Sequence, residues 1–190
     1  MIGALPTTLR IGGKEWDIRS DYRNILRIFE ALEDRELSEQ EKLYVLLARM
    51  FVDFKQMPKN LYQEACEQAN SFIECHSRED DKKNPKLINW EKDEQMIFPA
   101  INAVAGFEVR AIEYLHWWTF LGYFESVDNE CLWSFVLSIR QKRAQGKKLE
   151  KHEREFFNKN KNICSIEWQA PKEKVEDTLA NIFANLKEES

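Results

Sequence analysis

The chain of 190 residues is poor in the residues that build flexible or cross-linked proteins. Six Gly and five Pro are too few for a linker-rich or disordered protein. The four cysteines form no CxxC pair and no paired Cys/His spacing, so neither a zinc site nor a disulfide scaffold is indicated. Reduced thiols, as in a cytoplasm, are therefore expected.

The short motifs of common enzymes are also missing. The sequence has no glycine-rich phosphate loop, no nucleophile elbow, no HExxH and no calcium loop. The only histidines are His76, His116 and His152. No carboxylate or cysteine lies at a spacing from them that is typical of a metal site. We therefore predict no catalytic residue, no metal and no cofactor, and expect a protein that is not an enzyme.

Long apolar runs are absent as well. The longest stretches free of formal charge, residues 95–107 and 114–124, fall short of the roughly 20 residues that a membrane span needs. The N-terminus lacks the basic and apolar regions of a secretory signal. A soluble protein without a membrane segment is expected.

Hydrophobic periodicity indicates the fold class. A composition that is 43% hydrophobic and 32% charged can bury a real core. Alternating apolar residues around Gly12-Gly13 predict a hairpin, and Ser38 with Glu41 forms a capping-box pattern. Farther along the chain, apolar residues recur every three or four positions, which is typical of helices. This pattern predicts a mainly α protein, a compact bundle of about six to eight helices with a small N-terminal β-hairpin. We expect one helical domain over residues 1–164, with an exposed charged loop near 77–87.

One segment combines a histidine with adjacent tryptophans, in the run Leu115-His116-Trp117-Trp118-Thr119-Phe120. We predict that it lies in a nearly buried helix over residues 107–125, because adjacent helical residues point about 100° apart and two tryptophans then need cover on more than one side. The structural interpretation makes these residues core. The functional alternative is a catalytic or ligand-binding histidine flanked by stacking aromatics.

Charge is strongly polarised along the chain. Residues 140–161 hold nine Lys or Arg against three Glu, a net charge of +6, whereas the rest of the chain carries −11. The candidate basic surface comprises Arg140, Lys142, Arg143, Lys147, Lys148, Lys151 and Arg154. Such a surface could bind nucleic acid or an acidic partner. The alternative is a solvated helix face with i,i+4 pairs, which is common for charge runs, and the overall charge of −5 argues against general nucleic-acid binding.

The C-terminal residues 165–190 predict an amphipathic helix opened by Pro171. Its apolar residues fall at i, i+4, i+7, i+8 and i+11, on one stripe: Val175, Leu179, Ile182, Phe183 and Leu186. This stripe could pack on its own domain or bind a partner helix, and the sequence leaves both possibilities open.

Several of these segments together resemble one protein family. The run Leu5-Pro6-Thr7-Thr8-Leu9, followed by Ile11-Gly12-Gly13-Lys14 and residues 18–23, is similar to the start of the phage family known as gene product fifteen. The His-Trp-Trp segment and residues 139–151 are similar to its other hallmarks. The resemblance extends from about residue 5 to 160 and leaves out the C-terminal helix.

The resemblance implies a function that no motif chemistry shows. Genes of this family lie just before the gene of the tape-measure protein in tailed phages of Gram-positive bacteria, which implies a tail-assembly chaperone acting in the host bacterial cytoplasm. Expected partners are the tape-measure protein and possibly the tail-tube protein, with self-association as a further option. A structural tail or connector component, or a nucleic-acid-binding phage protein using residues 140–161, stays open as an alternative.

Overall fold

The computed structural model describes residues 3–74 and 87–165. Within these residues the chain forms two strands and eight α-helices, so the prediction of a mainly α fold with an N-terminal hairpin is confirmed. The described residues divide into two compact units. The first contains residues 3–74 and 114–118, and the second contains residues 87–113 and 119–165. A single domain over residues 1–164 stays a prediction.

The first unit begins with the hairpin. Strands β1 (Thr8–Ile11) and β2 (Lys14–Asp17) pair antiparallel, with Leu9 opposite Trp16. The two-residue turn has positive φ at both Gly12 (57°) and Gly13 (77°), which glycine adopts without steric cost and which suits the twist of a tight hairpin.

Three helices complete the first unit: α1 (Tyr22–Glu33), α2 (Glu39–Met50) and α3 (Tyr62–Ile73). The Asp21 carboxylate caps α1, and Ser38 and Glu41 form the predicted capping box on α2. A short 3-10 turn (Lys59–Leu61) follows Pro58, and α3 starts after that turn. The core is apolar and includes Ile11, Ile25, Ile28, Leu47, Met50, Phe51, Ala65 and Phe72.

The second unit is built from α4 (Trp90–Ala105), the greater part of α5 (Trp117–Glu125), α6 (Leu132–Ala144), α7 (Lys151–Lys159) and α8 (Lys161–Cys164). Gly106 ends α4 in the left-handed conformation, with a φ of 78°. Helices α6 to α8 enclose a small apolar cluster around Val136, Ile139 and Cys164.

The predicted helix over residues 107–125 is wrong in its first half. After Gly106 the chain makes a short 3-10 turn (Val109–Ala111), and Ile112 is extended. His116 then forms a β-bridge with Asp21, so the helix starts only at Trp117. Aromatic residues suit strands as well as helices, and the backbone of this segment pairs with a distant part of the chain. Val104 in α4 and Leu132 in α6 are exposed apolar side chains.

Candidate functional site

His116 is buried and both of its ring nitrogens have a partner. Its Nδ1 accepts the Trp118 backbone N–H at 3.1 Å, so the ring hydrogen of the neutral form lies on Nε2, which donates to the Pro6 carbonyl at 2.9 Å. The Phe72 ring packs edge-on against the imidazole at 5.7 Å. A ligand could reach a ring nitrogen only by breaking one of these bonds. This arrangement favours the core interpretation of His116 over the catalytic one.

The two adjacent tryptophans cap the end of α3. The Trp117 indole N–H donates to the Ile73 carbonyl at 3.0 Å, and the Trp118 indole N–H donates to the Phe72 carbonyl at 2.9 Å. The last carbonyls of a helix have no partner within the helix, so these two bonds satisfy acceptors that would otherwise need water. Trp117 is buried, while Trp118 is half-buried and stacks on Phe72.

The same segment also binds the start of α1 through its backbone. Tyr22 N–H donates to the Leu115 carbonyl at 3.0 Å, and Trp117 N–H donates to the Ser20 carbonyl at 2.7 Å. The Leu115 N–H donates to the Asp21 carboxylate at 3.0 Å. The His-Trp-Trp segment therefore connects three places in the first unit: the N-terminal arm at Pro6, the first turn of α1 and the last turn of α3.

In the second unit, Arg140 is not part of an exposed basic surface, which corrects the prediction from charge pattern. Its side chain is only 4% exposed and makes two hydrogen bonds of 2.6 Å with the carboxylate of Asp93, itself 1% exposed. The guanidinium also donates to the carbonyls of Leu87 and Ile163. Arg140 thus joins α4, α6 and α8 from inside the unit.

Lys142 is the second predicted cation that pairs with a carboxylate of the same unit. Its ammonium lies 2.5 Å from the carboxylate of Glu153, which is 5% exposed. Burial raises the pKa of Glu153, but the bonds from Lys142 and from the Glu150 backbone N–H outweigh it and hold that pKa below its ordinary value. The hydrogen bond to Glu153 raises the pKa of Lys142. The pair therefore stays ionised over a wide pH range.

The remaining five predicted cations are exposed, and no ion pair is found for them within residues 3–74 and 87–165. They are Arg143, Lys147, Lys148, Lys151 and Arg154. Arg143 lies over the Phe157 ring at 4.2 Å, and Arg154 donates to the Leu149 carbonyl at 3.2 Å. We call these five residues the basic face.

Charge pattern and periodicity missed the acidic partners Asp93 and Glu153. Asp93 sits in the first turn of α4, where an acidic residue is ordinary, and nothing in the local sequence links it to an arginine in α6. Exposed apolar residues were missed as well, among them Tyr44 (58% exposed), Tyr114 (52%) and Val52 (47%) in the first unit. The predicted C-terminal stripe and the charged loop, apart from Leu87, lie outside the described residues.

The described residues contain neither a metal-binding group nor a membrane-spanning helix. Across residues 3–74 and 87–165, no three His, Cys, Asp or Glu side chains gather in a group that could hold a metal ion. Among the helices of that part of the chain, none is both long and apolar enough to span a membrane.

These features define a mainly α protein in which His116 and the two adjacent tryptophans connect parts of the first unit. In the second unit, Arg140 and Lys142 are paired with carboxylates, and the other predicted cations are exposed. The sequence matches the family described as Bacteriophage Gp15 protein over residues 1–166, and the chain belongs to that family of phage proteins. No curated protein and no solved structure matches it.

Proposed function

We propose that this protein is a non-enzymatic tail-assembly chaperone that binds the tape-measure protein of its phage in the host cytoplasm. The observation that carries the proposal is the family match, which covers residues 1–166 of the chain. The resemblance to this family implies a gene beside that of the tape-measure protein. A long helical protein exposes apolar faces that a chaperone must bind until the tail-tube protein binds them instead.

The surface of the first unit is compatible with this role. Tyr44 is exposed on α2 and packs edge-on against the buried Phe54 at 5.4 Å, and Phe54 in turn contacts the Tyr62 ring at 5.2 Å. Tyrosine offers a large contact area at low cost in side-chain entropy and is enriched at protein interfaces. The predicted stripe of residues 175–186 is a second candidate surface for a helical partner.

Nucleic-acid binding through residues 140–161 receives less support. Arg140 and Lys142 neutralise Asp93 and Glu153 within the protein, so their charges are not available to phosphates. The surface that remains is smaller than the charge pattern predicted, and the chain as a whole carries −5.

The test is co-expression with the tape-measure protein of the same phage, followed by pull-down and size exclusion at moderate and high salt. We expect a soluble complex that survives high salt, because apolar contacts are not screened. A tape measure that stays insoluble while this protein elutes alone would contradict the proposal. Presence of the protein in purified virions would instead favour a structural tail component.

A pair of variants examines the C-terminal stripe in the same assay. Leu179→Asp with Phe183→Asp places two charges on the predicted stripe, whereas Asn181→Asp with Asn185→Asp places the same charges outside the stripe. We expect the first variant to lose binding of the tape-measure protein and the second variant to keep it. Equal retention by both would exclude the stripe as the binding surface.

A further inference from the structure

The basic face is held in a fixed geometry. Arg143 lies in the last turn of α6, and Lys151 and Arg154 lie in the first turn of α7. The connection between the helices is a hydrogen-bonded turn, in which Lys147 N–H donates to the Lys142 carbonyl at 2.8 Å and Gly146 adopts a φ of 67°. The N-terminus of α7 adds the positive end of a helix dipole to the same region.

The carboxylates close to the basic face neutralise it only in part. Glu153 is buried and its charge is paired with that of Lys142. Glu150 and Glu155 are exposed, so the exposed side chains of residues 143–155 carry five cations against two carboxylates, a net charge of +3.

An exposed turn of opposite charge lies in the first unit, between α1 and α2. Residues 33–41 contain five carboxylates, Glu33, Asp34, Glu36, Glu39 and Glu41, against Arg35, a net charge of −4. All of these side chains except Glu39 are exposed, and Glu39 forms an ion pair with Lys42 at 3.1 Å, so the exposed side chains of this turn carry a net charge of −3. We call residues 33–41 the acidic turn.

The acidic turn is also fixed by its own hydrogen bonds. The Asp34 carboxylate accepts the Glu36 backbone N–H at 2.8 Å, and the Glu41 carboxylate accepts the Ser38 backbone N–H at 2.8 Å. The bonds from Ser38 also lower the pKa of Glu41, so that carboxylate stays charged in mildly acidic buffer. One chain therefore carries two rigid surfaces of opposite sign and similar net charge.

We propose that the basic face of one copy of this protein binds the acidic turn of a second copy, so that copies associate head to tail. A contact between two different surfaces leaves one of each free at the ends, so it continues from copy to copy until the copies close into a ring. A long polyanion such as DNA fits the basic face less well, because it would also approach the rest of the chain, which carries −11 outside residues 140–161.

Exposed ion pairs are individually weak, so the association should need high protein concentration and low salt. The proposal does not depend on the identity of the tape measure as partner. If the tape measure is the partner, a scaffold that holds many copies side by side would raise their local concentration and favour the same contact.

Sedimentation velocity of the full chain tests the proposal. At about 0.05 M salt we expect the weight-average sedimentation coefficient to rise with protein concentration, and at about 0.5 M salt we expect a single monomeric species, since the screening length shortens several-fold. A monomer under both conditions at all concentrations would overturn the proposal.

Charge-reversed variants identify the two surfaces. Lys147→Glu with Lys148→Glu should abolish the low-salt association, and so should Glu33→Lys with Glu36→Lys. Mixing these two variants should restore association, because the first variant keeps the native acidic turn and the second keeps the native basic face. The matched control is Lys55→Glu with Lys59→Glu, which changes the net charge equally at exposed positions of the first unit and should leave association unchanged.

Two results would refute the specific contact. One is a mixture of the two charge-reversed variants that stays monomeric. The other is a monomeric wild-type protein that binds labelled duplex DNA in a fluorescence anisotropy assay, with loss of that binding in the Lys147→Glu, Lys148→Glu variant. The second result would assign the basic face to nucleic acid.

Discussion

Asp93 and Arg140 form a buried bidentate ion pair between α4 and α6, with both N···O distances at 2.6 Å. The pair lies in the second unit, where the Asp93 carboxylate also accepts the Asn89 backbone N–H at 2.9 Å. Both charges have been removed from water, so each depends on the other for its solvation. The pair fixes where α4 and α6 meet.

Loss of one partner should therefore be costly. We expect Arg140→Met to destabilise the protein by about 3–5 kcal/mol, because it leaves the Asp93 carboxylate buried without a counter-charge. Urea unfolding monitored by circular dichroism measures the change. Lys92→Met, which removes an exposed cation of α4, is the control and should stay within about 0.5 kcal/mol of wild type.

The double variant separates the ion pair from simple packing. Asp93→Asn combined with Arg140→Met removes both charges, and it should be less destabilising than the two single variants added together. Additive effects would mean that the two charges do not solvate each other.

Local signals in the sequence were sufficient for the elements that local chemistry determines. The Gly12-Gly13 turn, the capping box of Ser38 and Glu41, and the end of α4 at Gly106 all follow from residues close together in the chain. Arg140 could not be assigned in this way, because its burial depends on Asp93, which is distant in sequence. The extended segment before Trp117 was missed for the same reason, since its partner is the backbone at residues 20–22.

The two tryptophans should differ in their contribution to stability. Trp117 is 2% exposed, so Trp117→Ala should cost about 3–5 kcal/mol through the cavity that it leaves. Trp118→Ala should cost less, because that side chain is only half-buried. Circular dichroism is the appropriate probe, since the substitutions alter tryptophan fluorescence directly.

A conservative variant tests the hydrogen bond from the Trp118 indole to the end of α3. Trp118→Phe keeps an aromatic ring beside Phe72 but removes the indole N–H that donates to the Phe72 carbonyl, and it should cost about 1 kcal/mol. If Trp118→Ala left the melting temperature unchanged and abolished binding of the tape measure, the residue would belong to a binding site and the core interpretation would be wrong.

The Lys142 and Glu153 pair predicts a dependence of stability on pH. The pKa of Glu153 is lower in the folded protein than the ordinary 4.5, so its stabilising contribution is complete above 4.5 and is lost as the pH falls through the lowered value. The pKa of Lys142 is raised above 10.5, so its contribution is complete below that pH and is lost as the pH rises through the raised value.

Urea midpoints measured across the acid range check this. Glu153→Gln should flatten the acid decline in stability relative to wild type, whereas Glu155→Gln, an exposed neighbour on α7, should leave the decline unchanged. Identical acid slopes for wild type and Glu153→Gln would show that the decline comes from other carboxylates.

Gly12 and Gly13 provide a matched pair of substitutions in the hairpin turn. Both have positive φ, so alanine at either position should cost about 1–2 kcal/mol from backbone conformation alone. Gly12 carries an added constraint, because a Cβ there would lie 2.9 Å from Leu61 Cδ1, whereas a Cβ at Gly13 meets nothing within 4 Å. Gly12 N–H also donates to both carboxylate oxygens of Glu64 at 3.1 Å.

We therefore expect Gly12→Ala to be more destabilising than Gly13→Ala in urea unfolding. The end of the Leu61 side chain is flexible, so the same comparison in a Leu61→Ala background shows how much of the difference is steric. The two alanine variants should become nearly equal there. If the difference persists in that background, the cause is the bond between Gly12 and Glu64, which holds the hairpin tip on α3 and would be weakened by any shift of the turn.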